Sequence, residues 1–128
     1  MNGPRAYSLI ARLATDSQVV GSTFGERVVV SLSVFVHMKA KPGKEQEVED
    51  FLKSGLAIVE QEPGTIAWFA IKTGPGIYGI FDVFESEAGR EAHLTGRVAE
   101  ALFAKAPDLF REPPTVGKPD LLAAKLPE

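Results

Sequence analysis

His93 and Asp82 are the side chains of this sequence best suited to moving a proton, and Trp68 is the one best suited to holding an aromatic ring beside them. An imidazole titrates near neutral pH, which matches it to removing the proton of a phenolic hydroxyl. Asp82 stands between Phe81 and Val83 in an apolar run, where a carboxylate is costly to bury without a partner. It therefore either pairs, with Lys72, Arg90 or a facing subunit, or works as a base whose pKa is raised by its surroundings. The single tryptophan, Trp68, offers a face for stacking and an N–H that can orient an oxygen atom. Tyr78 and Phe84 share the alternation that carries Asp82, and His37 ends an earlier strand as a rim residue, so these three complete the candidate aromatic site. Each residue also has a plain structural reading: an interface tryptophan, an ion-paired aspartate, a histidine filling the gap between a helix and a sheet.

The segment that must position Trp68 and Asp82 is residues 62–94, EPGTIAWFAIKTGPGIYGIFDVFESEAGREAHL, which reads as strand, tight turn, strand, helix. With Gly74-Pro75-Gly76 as the loop, Trp68 falls opposite Asp82, Lys72 opposite Tyr78 and Phe69 opposite Phe81. Ile66, Trp68, Ala70 and Lys72 then share a face with Tyr78, Ile80, Asp82 and Phe84, while the other face is apolar. A loop one residue longer or shorter would exchange the two faces.

Upstream, the β-branched run VVVSLSVFVHMK predicts a strand from Val28 to Lys39. Lys41-Pro42-Gly43 breaks it, and Val48, Phe51, Leu52, Leu56 and Val59 recur at the spacing of an amphipathic helix from Lys44 to Glu60. Its charged face, Glu45, Glu47, Glu49, Asp50 and Lys53, belongs in solvent. Downstream of the hairpin, Ser86 is an N-cap for a second helix that breaks near Thr95-Gly96 and resumes with Val98, Ala101 and Leu102 inward. Pro107 and Pro113-Pro114 predict an irregular connection, and residues 115–125 a last strand held at an edge or bulge by Pro119.

The order strand, helix, strand, strand, helix, strand is the split βαβ arrangement of an α+β, ferredoxin-like fold with a four-stranded antiparallel sheet. It occupies residues 27–128, with residues 1–26 an N-terminal extension in which Ser8 to Leu13 forms a short helix or an added strand. Neither parity of the first three strands is polar enough to be left in water, so the uncovered sheet face predicts a C2 homodimer.

Composition narrows the function. A chain of 128 residues with 45% hydrophobic content is one ordinary globular domain. A net charge of −3 with scattered basic residues argues against a nucleic-acid or anionic-membrane partner. The absence of cysteine removes disulfides, thiol nucleophiles and cysteine metal sites, and fits a reducing cytoplasm. No run approaches the roughly 18 apolar residues of a membrane span. No phosphate loop, dinucleotide fingerprint, nucleophile elbow or zinc signature occurs. These absences leave room for a reaction that needs no cofactor, to which the protein would supply a dry pocket, a base and orientation.

The stretches AKPGKEQEVEDFL, EPGTIAWFAI, FDVFESEAGREAHL and PDLLAAKL, in that order, resemble the antibiotic biosynthesis monooxygenase family over about residues 28–125. The resemblance implies a dimeric α+β barrel whose relatives include cofactor-independent monooxygenases of phenols and quinols, haem-degrading enzymes, and proteins without established activity. The haem-degrading branch uses a histidine late in the second helix, where this chain has Ala101, Leu102 and Phe103, and an asparagine in the first strand, which residues 28–39 lack. The expectation is thus a cofactor-free monooxygenase with His93 or Asp82 as base and Trp68, Tyr78, His37 and Phe84 around a small aromatic molecule. The alternative is a non-catalytic small-ligand-binding or stress-related protein on the same dimeric barrel.

Overall fold

The computed structural model describes residues 8–9, 19–23 and 26–127. In chain order the elements are β1 (Ser8–Leu9), β2 (Val19–Thr23), β3 (Glu26–Val30), β4 (Leu32–Lys39), α1 (Glu45–Val59), β5 (Thr65–Gly74), β6 (Ile77–Phe84), α2 (Glu87–Leu94), α3 (Arg97–Leu109) and β7 (Thr115–Gly117). The main sheet has the order β5-β6-β4-β7 with every neighbouring pair antiparallel. This is the α+β ferredoxin-like arrangement, its second helix divided in two.

The helices lie on the even-numbered face of the strands because that face carries the large apolar side chains. Val34, Val36 and Met38 of β4 and Ile80 and Phe84 of β6 are buried against Val48 and Leu52 of α1 and Leu102, Ala106 and Leu109 of α3. Burying one Val or Leu side chain contributes about 1.5–3 kcal/mol, so this layer fixes which way both helices face. The break between α2 and α3 falls at Thr95 and Gly96, where Gly96 adopts an extended N-cap conformation that lets α3 start in a new direction. Pro107 does not end α3 but sits in its final turn, and its carbonyl accepts a hydrogen bond from Lys41 Nζ at 2.6 Å.

The β5–β6 hairpin has the expected register through its middle: Trp68 pairs with Asp82, Phe69 with Phe81 and Lys72 with Tyr78. The loop is tighter than the sequence suggests. Gly74 still pairs with Ile77, so only Pro75 and Gly76 turn, with proline first and Gly76 at φ 72° in the pattern of a type II turn. An irregularity between Lys72 and Gly74 absorbs the extra residue and keeps Trp68 and Asp82 on one face.

Two strands differ from expectation. The run from Val28 to Lys39 divides at Ser31: β3 pairs with β2 and β2 with β1 in a separate three-stranded sheet, while β4 enters the main one. The Ser31 carbonyl leaves the ladder and accepts from the Leu121 N–H at 3.0 Å. In the N-terminal region Gly21 and Ser22 thus belong to a strand, Ser8 and Leu9 pair with them, and the rest of the expected Ser8 to Leu13 element lies outside the described residues. At the other end β7 covers only Thr115–Gly117, an edge strand that stops before Pro119.

Beyond β7 the chain crosses the sheet's second face. Ser33 Oγ donates to the Pro119 carbonyl at 2.5 Å, and Leu121, Ala124 and Leu126 pack, as Phe81 does, on Val30 and Val83. Phe69 and Ile71 of this face remain 55% and 41% exposed. Among the described residues no helix is long and apolar enough to cross a membrane.

Candidate active site

His93 lies on α2, which begins at Ser86, whose side chain accepts from the Gly89 N–H at 3.0 Å. This cap fixes the helix start and turns His93, nearly two turns on, inward to the sheet, where it is buried. Its ring lies between two carboxylates. Nδ1 is 2.7 Å from Glu62 Oε1 and Nε2 is 2.9 Å from Asp82 Oδ2. The flank of the ring meets Phe84, with centroids 5.3 Å apart.

The two carboxylate contacts are not equivalent. The Glu62 contact has hydrogen-bond geometry, whereas neither oxygen of the fully buried Asp82 receives an aligned hydrogen bond among the described residues. Asp82 is therefore held near Nε2 by charge and not by a directed bond. The two carboxylates sit on opposite nitrogens of the ring and do not converge on one point, and no cluster able to hold a metal ion occurs among the described residues.

Burial by itself would pull the His93 pKa down, but the contacts with Asp82 and Glu62 outweigh it and leave the imidazole above its ordinary value. For Asp82 burial dominates and pushes the carboxyl up, opposed by the close approach and charge of His93 and reinforced by the nearby Glu62. The histidine is thus a stronger base because of its two carboxylates and in spite of burial, and the aspartate a reluctant anion because of burial and in spite of the histidine.

Glu62 belongs to the turn between α1 and β5, and Thr65 Oγ1 donates to its Oε1 at 2.8 Å. Two glycines bring this turn against α2. A Cβ built at Gly64 would stand 2.9 Å from Gly89 Cα, and one built at Gly89 would stand 3.0 Å from the Gly64 carbonyl oxygen. Only hydrogens fit at this crossing.

Beside His93 lies an apolar cavity of about 40 Å³ between the sheet and the helices, walled by Trp68, Ile80, Leu52, Val98 and Phe103 among others. Gly55 of α1 lets the helix approach the indole: a Cβ there would be 3.5 Å from Trp68 Cζ2 and Cη2. The Trp68 Nε1 is buried without a hydrogen-bond partner among the described residues. A buried donor left unpaired costs about 1–3 kcal/mol. Phe103 of α3 is 47% exposed and forms part of the cavity's outer wall.

The structure brings His93, Asp82 and Trp68 together and sets three other candidates apart. Tyr78 is buried farther along β6, where its hydroxyl donates to Glu49 Oε2 at 2.7 Å and Lys72 Nζ lies 3.0 Å from the same oxygen. Burial first, and then Glu49, push the tyrosine pKa up to about 12. It does not line the cavity. Phe84 supports the His93 ring but is not a cavity wall either. His37 has the opposite parity, packs 6.5 Å from the Phe35 ring, and lies across the sheet from the cavity. The partners considered for Asp82 are engaged elsewhere: Lys72 with Glu49, and Arg90 with Glu87 and the Ser33 carbonyl. The residue that sequence reasoning missed is Glu62. Its position in a helix-ending Pro-Gly turn signals nothing by itself, because only the Gly64–Gly89 crossing delivers it to His93.

A family model for antibiotic biosynthesis monooxygenases matches residues 31–105, which contain the Asp82–His93–Glu62 array and every residue lining the cavity except Val116. The chain belongs to the antibiotic biosynthesis monooxygenase family. Among solved structures it is similar to a protein of unknown function from Nitrosomonas europaea, with 52% identity, coverage of 77% of this chain and 96% of that one, and a TM-score of 0.75. A candidate antibiotic biosynthesis monooxygenase from Caulobacter crescentus shares the fold at 22% identity and a TM-score of 0.62, over 72% of this chain and 90% of its own. A second such candidate, also from Nitrosomonas europaea, does so at 14% identity and a TM-score of 0.65, again over 72% and 90%. No curated protein sequence matches the chain significantly.

Proposed function

We propose that this family member oxidises a small phenol or quinol with molecular oxygen in the cavity beside His93, without flavin, haem or metal. The observation that carries the reading is the His93 ring, oriented by one carboxylate and charge-paired with another at the wall of an apolar cavity that Trp68 also lines. Neutral His93 accepts the phenolic proton at Nε2, and the resulting imidazolium is stabilised between Asp82 and Glu62. The phenolate gives one electron to oxygen, and the substrate radical and superoxide combine to form a carbon–oxygen bond. Loss of the ring C–H proton and cleavage of the O–O bond then give a quinone. Overall one phenol and one oxygen molecule yield one quinone and one water, the two protons leaving substrate oxygen and carbon departing on that water. Trp68 supplies a stacking face and an N–H for the substrate or peroxide oxygen.

A cavity of about 40 Å³ holds the centres of only about three waters, so a bicyclic phenol enters by displacement of its outer wall, where Phe103 is half exposed. The same small volume favours a second reading, in which the chain binds a small ligand without turnover. Oxygen uptake by the purified protein with a panel of naphthols and quinols, in the presence of a chelator, separates the two. Uptake that survives chelation and falls in His93→Gln supports oxidation; no uptake with any member of the panel leaves the binding reading.

The working form under this reading is a homodimer joined through the second sheet face, where Phe69 and Ile71 stand exposed beside the C-terminal segment. Sedimentation of the wild type as a dimer and of Phe69→Lys as a monomer supports it.

A further inference from the structure

We propose that Glu62 is a positioning residue of this site: it holds the His93 ring by Nδ1 and thereby leaves Nε2, the nitrogen beside Asp82, as the one that takes up a proton. The inference deepens the oxidation reading and rests on it for its consequence in turnover, but its geometric content stands apart.

The argument begins with the unequal contacts at the ring. An imidazole can rotate about its side-chain bonds and can carry its neutral-state proton on either nitrogen. A carboxylate on one nitrogen removes both freedoms, because a carboxylate only accepts. At 2.7 Å and with aligned geometry, Glu62 Oε1 requires the proton on Nδ1. Asp82, unaligned at 2.9 Å, makes no such demand on Nε2. The lone pair of the neutral ring is therefore on Nε2, beside the carboxylate that will stabilise the charge formed there.

Glu62 is itself held in place. Thr65 Oγ1 occupies the same oxygen at 2.8 Å, and the Gly64–Gly89 crossing ties the turn to the helix that carries His93. Gly96 brings the end of α2 close on the other side, where an added Cβ would lie 3.5 Å from Glu62 Oε2. The charged groups acting on the ring are Asp82 from β6 and Glu62 from the turn after α1. Arg90, one turn back on α2, is committed to Glu87 and the Ser33 carbonyl.

The test is a pH titration of the His93 imidazole nitrogens by NMR in the full-length ¹⁵N-labelled protein, with His37 as the internal reference, for the wild type, Glu62→Gln and Gly64→Ala. In the wild type the neutral ring carries its proton on Nδ1. Glu62→Gln keeps the shape and removes the charge, and its midpoint falls by about one pH unit, a tenfold change in the protonation ratio at a given pH. Gly64→Ala pushes the turn away from α2 and moves the midpoint in the same direction without altering either side chain. In oxygen uptake with 1-naphthol, the acidic limb of the kcat profile moves with the midpoint. A merely structural Glu62 would lower Tm and move neither. An unchanged midpoint and tautomer in a folded Glu62→Gln protein overturns the proposal, whatever the activity. Absence of wild-type oxygen uptake together with a shifted midpoint overturns the oxidation reading and leaves the positioning role in place.

Discussion

His93 Nε2 stands 2.9 Å from Asp82 Oδ2, yet neither oxygen of that buried carboxylate receives an aligned hydrogen bond among the described residues. A buried charge that is close to its partner but not locked to it is poor stabilisation and good acid–base chemistry, because the proton position can change with little rearrangement.

The two members of this pair should respond differently to replacement. His93→Gln removes the proton acceptor and is expected to lower the oxidation rate roughly 10²- to 10⁴-fold. Asp82→Asn leaves the acceptor but withdraws the charge that stabilises the imidazolium, so its loss is smaller and its acidic limb moves to lower pH. Steady-state oxygen uptake against pH distinguishes the patterns, and equal losses with unshifted profiles would contradict the assignment.

Stability should also depend on pH in a defined direction. His93 has a folded-state pKa above its unfolded value, so its contribution is fully present below about pH 6.5 and is lost as pH rises through the folded value. Asp82 is also raised, so its ionisation weighs against the fold as pH climbs from about 4. Thermal denaturation from pH 6 to 9 should show wild-type stability falling more steeply than that of His93→Gln. Parallel curves would mean that the ring does not gain its charge from folding.

Trp68→Phe keeps a stacking face and removes the N–H that has no partner among the described residues. Stability should hold or rise slightly, since an unsatisfied buried donor is lost, while oxidation declines if the N–H serves a substrate oxygen. Chemical denaturation alongside kinetics measures both.

Gly55→Leu should close the cavity from the α1 side. A Cβ at this position already stands 3.3 Å from Val98 Cγ2 and 3.5 Å from the indole, so a larger side chain fills the space or displaces Trp68. Binding of 1-naphthol followed by Trp68 fluorescence should weaken at least tenfold, the equivalent of about 1.4 kcal/mol. Undiminished binding would place the ligand elsewhere.

Tyr78→Phe serves as the contrasting case. The hydroxyl is bonded to Glu49 away from the cavity, so its removal should cost about 0.5–1.5 kcal/mol of stability and leave oxidation unchanged. In the wild type the same contact should delay ionisation of Tyr78 to about pH 12 by ultraviolet titration.

The sequence by itself determined the layer structure and the Trp68–Asp82 pairing, because both follow from local periodicity. Alternation in β5 and β6 with a Pro-Gly turn of fixed length leaves one register that keeps Val83 and Phe81 off the face of Asp82, and α1 is legible from Val48, Leu52 and Val59. The family was legible for the same reason, as motifs in order along the chain. Tertiary structure alone decided what touches what across elements. Parity placed Tyr78 on the same face as Asp82 but could not say that a hairpin spreads such residues along a strand, so Tyr78 reaches Glu49 and not the cavity. The division of the long β-branched run at Ser31 depended on a bond from Leu121, ninety residues away. Glu62 joined the site only through two glycine backbones meeting from different elements. Periodicity reports the direction a side chain takes from its own backbone; a charge pair depends on where a second backbone passes, and that is set by the packing of the whole chain.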